Sequence, residues 1–222
     1  MEFLKRKKYL LLLLPFLFSF RLFLNHNPWN INNNSEESRK IFVSYTNATT
    51  NVDNDLGSSD PAASASSSLS VETLMDSIFD DFNNIDAAYV TLVDTDDADY
   101  DASKKNRIIK ITFGGASGTS SGEASFSYGS DGKIDDSGCK ISGESDLLKS
   151  AENFVSTMTH EIGHCLGLAH SQEITQSIMS YYASDDIIRL QDDDMMGIIY
   201  LYAKDPSKAS EDNTLGLSCS RR

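Results

Sequence analysis

Apolar residues recur with helical spacing in two long segments of the chain. In residues 71–85 and again in residues 146–168, apolar side chains lie three and four positions apart. This spacing places them on one face of an α-helix. The pattern predicts two amphipathic helices, the first capped by Ser70 and the second by Ser145. We expect Gly167 to end the second helix, because glycine readily adopts the left-handed conformation found there.

Shorter apolar runs predict β-strands before and between these helices. They cover residues 41–46, 87–93, 107–113, 123–128 and a short stretch around Cys139 and Ile141. The run 123–128 alternates apolar and polar residues, as does a strand with one solvent-exposed face. Residues 47–70 are rich in Ser, Ala and Asp, a composition that predicts a long loop or a tether.

The N-terminus has the pattern of a targeting segment. Four basic residues, Lys5 to Lys8, precede an apolar run from Tyr9 to Phe20. A basic start followed by about 7 to 15 apolar residues is typical of a secretory signal, whereas a membrane span needs about 20. We therefore expect residues 1–24 to be a signal segment of a secreted, extracellular or periplasmic protein. A retained membrane anchor is the alternative.

These patterns divide the remaining chain into three parts. Residues 25–69 are expected to be a linker or a propeptide, with a first strand possible at 41–46. Residues 70–204 contain the regular elements and form the predicted folded domain. Residues 205–222 are expected to be a C-terminal tail.

Charge and cysteine content narrow the class of protein. The formal net charge is −14, and nucleic-acid binding depends on clustered Lys and Arg, so we expect no nucleic-acid partner.

Three cysteines allow one disulfide in an exported protein. We expect it between Cys139 and Cys219, because Cys165 lies in a histidine-rich segment, where we interpret it as a packing residue. Three unpaired thiols are the alternative.

That segment, HEIGHCLGLAH, begins at His160 and holds three of the four histidines in the chain. At 3.6 residues per turn, His160 and His164 share a helix face away from the apolar stripe, whereas a core histidine would lie on it. Two imidazoles one turn apart can bind one zinc ion, and a turn at Gly167 lets His170 supply a third ligand. Glu161 could then take a proton from water. The segment predicts one catalytic zinc site.

The spacing H-E-x-x-H-x-x-G-x-x-H resembles the zinc signature of the metzincin endopeptidases. With Ser171 following, HEIGHCLGLAHS is most similar to the matrixin branch. Downstream, Met179 in SIMSYY matches the methionine-containing turn of these enzymes. The string Ser-Ile-Met-Ser-Tyr is more similar to the serralysin and astacin version, which implies a catalytic role for Tyr181. Tyr182 is the competing residue, and a purely structural tyrosine is equally open.

Residues 189–204, RLQDDDMMGIIYLYAK, resemble the C-terminal helix of matrixins. Asp193 and Asp194 align with an acidic pair that, in the family, braces the Met-turn and receives the mature N-terminus. The alternative is that aspartates are simply favoured at a helix N-terminus by the helix dipole.

The resemblance covers about residues 70–204 and implies the metzincin fold. This is an α+β, α/β-sandwich-like domain with a twisted, mostly parallel sheet, an antiparallel edge strand, an active-site helix and a C-terminal helix. It implies a secreted zinc endopeptidase that hydrolyses peptide bonds with a metal-activated water. Its protein or peptide substrate would lie along 123–128. The S1′ pocket would be lined by the helix around His160 and by the segment 171–185. A non-catalytic zinc-binding or membrane-tethered protein on the same scaffold is the alternative.

Acidic segments also raise the question of calcium. Residues 94–101, or Asp131 with Asp135 and Asp136, could bind Ca²⁺ through carboxylates. No complete calcium-loop motif is present, so a solvated acidic loop is favoured. Outside this segment the chain has one histidine, His26, so it lacks the set of extra histidines that holds the structural zinc of animal matrixins. It also has no cysteine before Cys139 for a cysteine-switch propeptide.

Overall fold

A five-stranded sheet forms the centre of the fold in the computed structural model, which describes residues 21–22, 27–96, 100–101, 103, 107–114, 121–171, 176–181 and 186–205. The strands lie in the order β5–β2–β6–β8–β7; they are β2 (Lys40–Tyr45), β5 (Thr91–Asp94), β6 (Ile108–Phe113), β7 (Gly122–Tyr128) and β8 (Ile134–Gly143). Four strands run parallel, and β7 pairs antiparallel with β8 at the edge. This confirms the predicted mostly parallel sheet with an antiparallel edge strand.

Two small sheets and four α-helices complete the described fold. The strands β1 (Arg21–Leu22) and β9 (Leu168–Ala169) pair antiparallel, as do β3 (Asn51–Asp53) and β4 (Ser68–Ser70). The helices are α1 (Glu36–Arg39), α2 (Val71–Asn83), α3 (Ala151–Cys165) and α4 (Asp192–Leu201), with a 3₁₀-helix at Ser145–Lys149.

The helix predicted over 71–85 is confirmed as α2. Its N-terminus is capped by the Ser70 side chain, which accepts a hydrogen bond from the Thr73 N–H. The six apolar residues that predicted the helix are all buried: Val71, Leu74, Met75, Ile78, Phe79 and Phe82. The apolar stripe therefore faces the core, as its periodicity indicates.

The second predicted helix is interrupted, and its predicted cap at Ser145 is wrong. Ser150 adopts an extended conformation, with φ −144° and ψ 120°, and separates the 3₁₀-helix from α3. Its side chain accepts a hydrogen bond from the Asn153 N–H and donates one to Asp55. Asp55 also accepts from the Glu152 N–H. A distant carboxylate thus helps to cap α3, which local spacing could not indicate.

The segment expected to be a linker, residues 25–69, contributes to the same core as the predicted domain. Trp29, Ile41 and Val52 are fully buried, and β2 lies between β5 and β6. The loop that follows β3 is tied to the body by Asp60, which accepts two hydrogen bonds from Arg189. Residues 25–69 have a low average hydrophobicity, but the few apolar residues among them lie at positions that the fold buries.

The predicted disulfide between Cys139 and Cys219 is wrong, because Cys139 is bonded to Cys165. Both sulfur-bearing residues are fully buried, and the bond joins β8 to the last residue of α3. Cys219 lies outside the described residues, as do 206–222 in general and the apolar run of the predicted signal segment. Within the part of the chain that is described, no helix is long and apolar enough to cross a membrane.

Candidate metal centre

Three histidines from α3 and the turn after it converge on one point. The Nε2 atom of His170 lies 3.1 Å from the Nε2 atom of His160 and 3.1 Å from that of His164. His160 and His164 lie one turn apart on α3. Gly167, with φ +102°, then reverses the chain and brings the third histidine back to them. Among the described residues this is the one cluster of three potential metal ligands.

Backbone carbonyls orient two of these imidazoles. The Nδ1 atom of His160 lies 2.7 Å from the Ile178 carbonyl oxygen, and that of His164 lies 2.8 Å from the Leu168 carbonyl oxygen. With Nδ1 as the donor in each case, both Nε2 atoms present lone pairs to the shared point. Three converging imidazole nitrogens are a donor set that suits zinc, so the residues fit this metal.

The environment keeps the histidines neutral, as metal ligation requires. Burial lowers the pKa of His160 and of His170. Burial, together with the neighbouring His160, lowers the pKa of His164 to about 3. Protonation would place positive charges within a few ångströms of one another, which Coulomb repulsion opposes.

Glu161 brings a carboxylate to the same place. It follows His160 in α3, is 6% exposed and contributes to the lining of the cleft together with all three histidines. Burial raises the pKa of Glu161 to about 7; a hydrogen bond from the Ala124 N–H of β7 opposes this, and the nearby Glu123 carboxylate adds to it. A group that titrates near neutrality can both accept and return a proton.

The edge strand approaches Glu161 closely because residue 122 is a glycine. A Cβ added at Gly122 would lie 2.7 Å from the Thr157 methyl group and 3.0 Å from Cγ of Glu161. Only the missing side chain lets β7 pack against α3 at this point. Neither Gly122 nor the Ala124 N–H was identified from the sequence, because contact between a strand and a helix leaves no periodic signal.

The predicted Met-turn passes beneath the histidines. Met179 is 2% exposed, and a Cβ added at Gly163 would lie 2.5 Å from its sulfur. The Met179 carbonyl accepts a hydrogen bond from the Ser171 N–H, which ties the turn to the residue after His170. The turn thus supports both α3 and the segment that carries His170.

Asp194 holds this turn in place from the first turn of α4. Its buried carboxylate accepts hydrogen bonds from the Ser177 hydroxyl, the Ile178 N–H and the Met179 N–H at 2.5, 3.0 and 3.3 Å. It also accepts from the Gln191 N–H. The bracing contact predicted for the acidic pair is therefore made by Asp194. Asp193 lies beside it and lines a small cavity under the turn.

Tyr181 lies at the mouth of the site. Its ring centroid is 4.1 Å from that of His170, and 61% of the residue is exposed. The structure therefore brings Tyr181 into contact with His170, which its sequence position alone could only suggest. Its competitor Tyr182 lies outside the described residues.

An open cleft of about 890 Å³ runs across the site between β7, α3 and the Met-turn. The three histidines and Glu161 lie along it, and the edge of β7 forms its other side.

The acidic positions considered for calcium lie elsewhere: Asp131 and Asp135 each accept a hydrogen bond from the backbone N–H two residues further along the chain. Part of 94–101 lies outside the described residues.

Comparison with known proteins decides the family. The family model of the matrixins, Peptidase M10, matches residues 25–203. The chain belongs to the matrixin family. The match begins well before residue 70, in agreement with the buried Trp29 and the central β2. With the histidine triad, membership supports zinc as the metal and a metalloprotease as the class of enzyme.

The matrixin has no match among curated proteins, whereas 31 chains of solved structures match it. One of them is described as the GM1 bound form of the ECX AB5 holotoxin. It is 13% identical in sequence, the alignment covers 83% of this chain and 89% of that chain, and the TM-score is 0.48.

Proposed function

We propose that this matrixin is a secreted zinc-dependent endopeptidase in which Glu161 is the general base. One observation carries the proposal: three Nε2 atoms converge beside a buried carboxylate on the wall of an open cleft. His160, His164 and His170 would hold the metal. Three protein ligands leave a coordination position for water or substrate, which is the arrangement of catalytic rather than structural zinc sites.

Each part of the site has a defined task in peptide hydrolysis. Zinc, when bound, polarises the scissile carbonyl and lowers the pKa of water. Glu161 takes the proton of the attacking water and passes it to the leaving amine. The raised pKa of Glu161, about 7, suits both halves of this transfer. The Ala124 N–H holds the carboxylate in position.

The substrate is proposed to bind as an extended strand along β7. In the described sheet, β7 pairs on one side with β8 and forms the edge on the other. An extended peptide can pair its backbone with such an edge, while its side chains enter the cleft. The S1′ pocket is proposed to be lined by the part of α3 around His160 and by the segment 171–185, part of which lies outside the described residues.

Tyr181 is proposed to support the developing oxyanion, because its ring lies against that of His170, tilted by 43°, at the open side of the cleft. A Tyr181→Phe variant is expected to keep its zinc and to lose roughly 10²- to 10³-fold in kcat, the usual effect of removing one donor to the oxyanion. An unchanged kcat would leave Tyr181 with a structural role.

Secretion is supported by two independent features. The basic and apolar start of the sequence is typical of an export signal, and the buried Cys139–Cys165 disulfide suits an oxidising compartment. N-terminal sequencing of the exported protein would distinguish a cleaved signal from a retained anchor. Peptide mapping without reductant should recover Cys139 linked to Cys165 in that form.

The central test compares two Glu→Gln variants on a generic protein substrate. Glu161→Gln should reduce kcat by roughly 10²- to 10⁴-fold, the usual contribution of a general base, at unchanged zinc content. The matched control is Glu72→Gln, a change at an exposed residue of α2 outside the cleft, which should stay within a few fold of the parent. If Glu161→Gln with full zinc cleaves as fast as the parent, the proposed mechanism is excluded.

The alternative of a zinc-binding protein without catalysis predicts a different result. The purified parent would then bind zinc but cleave no protein substrate, and a chelator would change nothing measurable in the assay. The presence of Glu161 in the cleft argues against this alternative, because a purely structural zinc site has no use for a general base.

A further inference from the structure

The last turn of α3 ends in two buried carbonyl groups that are capped by side chains from distant parts of the chain. The indole Nε1–H of Trp29 donates a hydrogen bond to the Cys165 carbonyl at 2.8 Å. The Tyr202 hydroxyl donates one to the Leu166 carbonyl, also at 2.8 Å. All four residues are fully buried. Terminal helix carbonyls lack partners within the helix, so these two bonds satisfy groups that water cannot reach.

These carbonyls lie between two of the proposed metal ligands. His164 precedes them directly, and His170 follows after the turn at Gly167. The turn also closes back on the helix, because the Leu168 carbonyl bonds to Nδ1 of His164. Any fraying of the last turn would therefore move the carbonyl that orients one ligand and the backbone that carries another.

The turn is packed as well as hydrogen-bonded. A Cβ added at Gly167 would lie 3.2 Å from Cγ of Pro28 and 3.2 Å from a methyl group of Leu201. These two residues are neighbours of the two donors in sequence. The segment around Pro28 and the C-terminal end of α4 thus both pack against the turn at Gly167.

Trp29 is itself firmly anchored. Its backbone N–H donates to Oδ1 of Asn27 at 2.7 Å, and the Asn27 amide donates in turn to the Ile31 carbonyl and the Tyr89 hydroxyl. The Pro28 carbonyl accepts from the Ile134 N–H of β8. The indole is therefore held in place by a network that does not depend on α3.

We propose that Trp29 and Tyr202 are positioning residues of the metal centre. Their donors hold the end of α3 and so keep His164 and His170 in ligating geometry. This inference rests on the proposed zinc endopeptidase and deepens it, since it adds to the site two residues that touch neither metal nor substrate. Groups that orient metal ligands typically change metal affinity 10- to 100-fold when lost. Because Trp29 and Tyr202 act one step further out, we expect the lower end of that range.

The test uses full-length Tyr202→Phe, which removes one oxygen atom, and Trp29→Phe, which removes the indole donor. Zinc affinity is measured by chelator competition, and ligand geometry by the visible spectrum of the cobalt-substituted protein. Each variant should bind zinc about tenfold more weakly and show altered cobalt bands. In cleavage assays at saturating zinc, kcat should fall more than KM changes.

The matched control is Tyr45→Phe. It removes the same hydroxyl from a tyrosine that hydrogen-bonds to Asp94, at the far strands of the sheet. It should leave zinc affinity and the cobalt spectrum unchanged, which separates positioning from general loss of stability. If Trp29→Phe does not fold, the zinc affinity and cobalt spectrum of Tyr202→Phe test the positioning role.

Two outcomes would count against the inference, and they are distinguishable. If Tyr202→Phe is folded and has the zinc affinity and cobalt spectrum of the parent, the positioning role is excluded while the proposed function stands. If the parent itself binds no zinc, the proposed function fails, and the inference fails with it.

Discussion

The backbone of Gly163 lies against the sulfur of Met179, so closely that a Cβ at residue 163 would stand 2.5 Å from that atom. Gly163 lies within the helical turn that carries His160 and His164. Glycine costs a helix about 1 kcal/mol relative to alanine. The close contact with Met179 explains why a glycine occupies this position in α3 although it lowers the stability of the helix.

Replacing Gly163 with alanine should therefore destabilise the protein. Overpacking costs about 1 to 3 kcal/mol and outweighs the gain in helix propensity, so we expect a net loss of about 1 kcal/mol and weaker zinc binding. Met179→Ala should cost about 2 to 5 kcal/mol through the cavity it leaves. Because the new methyl group partly fills that cavity, the double variant should lose less than the sum. Strict additivity in chemical denaturation would contradict the contact.

Gly122→Ala should impair catalysis without removing the metal. The added methyl group would meet Thr157 and Glu161, so β7 or the carboxylate has to shift. Small displacements of catalytic groups are costly, and we expect kcat to fall at least about tenfold with zinc content unchanged. Gly57→Ala is the control, because nothing lies within 4 Å of its added Cβ. Equal kcat values for the two variants would be evidence against this packing.

Asp194→Asn should loosen the Met-turn. The carboxylate accepts hydrogen bonds from four residues, whereas an asparagine has one acceptor oxygen and presents N–H groups to some of the same donors. We expect a loss of about 3 kcal/mol or more in the free energy of unfolding. Asp192→Asn, an exposed change in the same helical turn, should stay within about 0.5 kcal/mol of the parent. Similar melting temperatures for both variants would refute the bracing role.

The cap that Asp55 provides to α3 should make stability depend on pH. Burial alone would raise the pKa of Asp55, but hydrogen bonds from the Ser150 hydroxyl and the Glu152 N–H outweigh this and lower it. A lowered folded-state pKa contributes stability above the ordinary value of 3.8, and this contribution is lost as pH falls through the folded value.

Urea denaturation of the parent and of Asp55→Asn at several pH values measures this effect. The parent should be more stable by about 0.5 to 1 kcal/mol near neutrality, the usual size of an exposed cap. The difference should shrink below about pH 4, as the carboxylate becomes protonated. Asp53→Asn, a nearby exposed aspartate, should show no such trend. A difference that stays constant down to acid pH would contradict the cap.

The sequence by itself determined the chemistry of the site. The histidine spacing of HEIGHCLGLAH is a local feature of the sequence, and the methionine follows it at a short distance along the chain. Helical geometry is enough to place His160 and His164 on one face. The helical period of its apolar residues likewise predicted α2, and short apolar runs predicted the strands of the central sheet, although β5 begins at Thr91 and not at residue 87. The Gly167 turn, too, follows from the conformational freedom of a single residue.

Only the tertiary structure decided what holds that chemistry in place. The Cys139–Cys165 bond, the contact of Asp194 with the Met-turn and the capping of α3 by Asp55, Trp29 and Tyr202 all join residues far apart in the chain. Such contacts depend on which elements the fold packs together, and no local pattern of polar and apolar residues encodes them. The same holds for residues 47–70. Their composition is that of a loop, but the few apolar residues they carry are buried by the neighbours that the fold supplies.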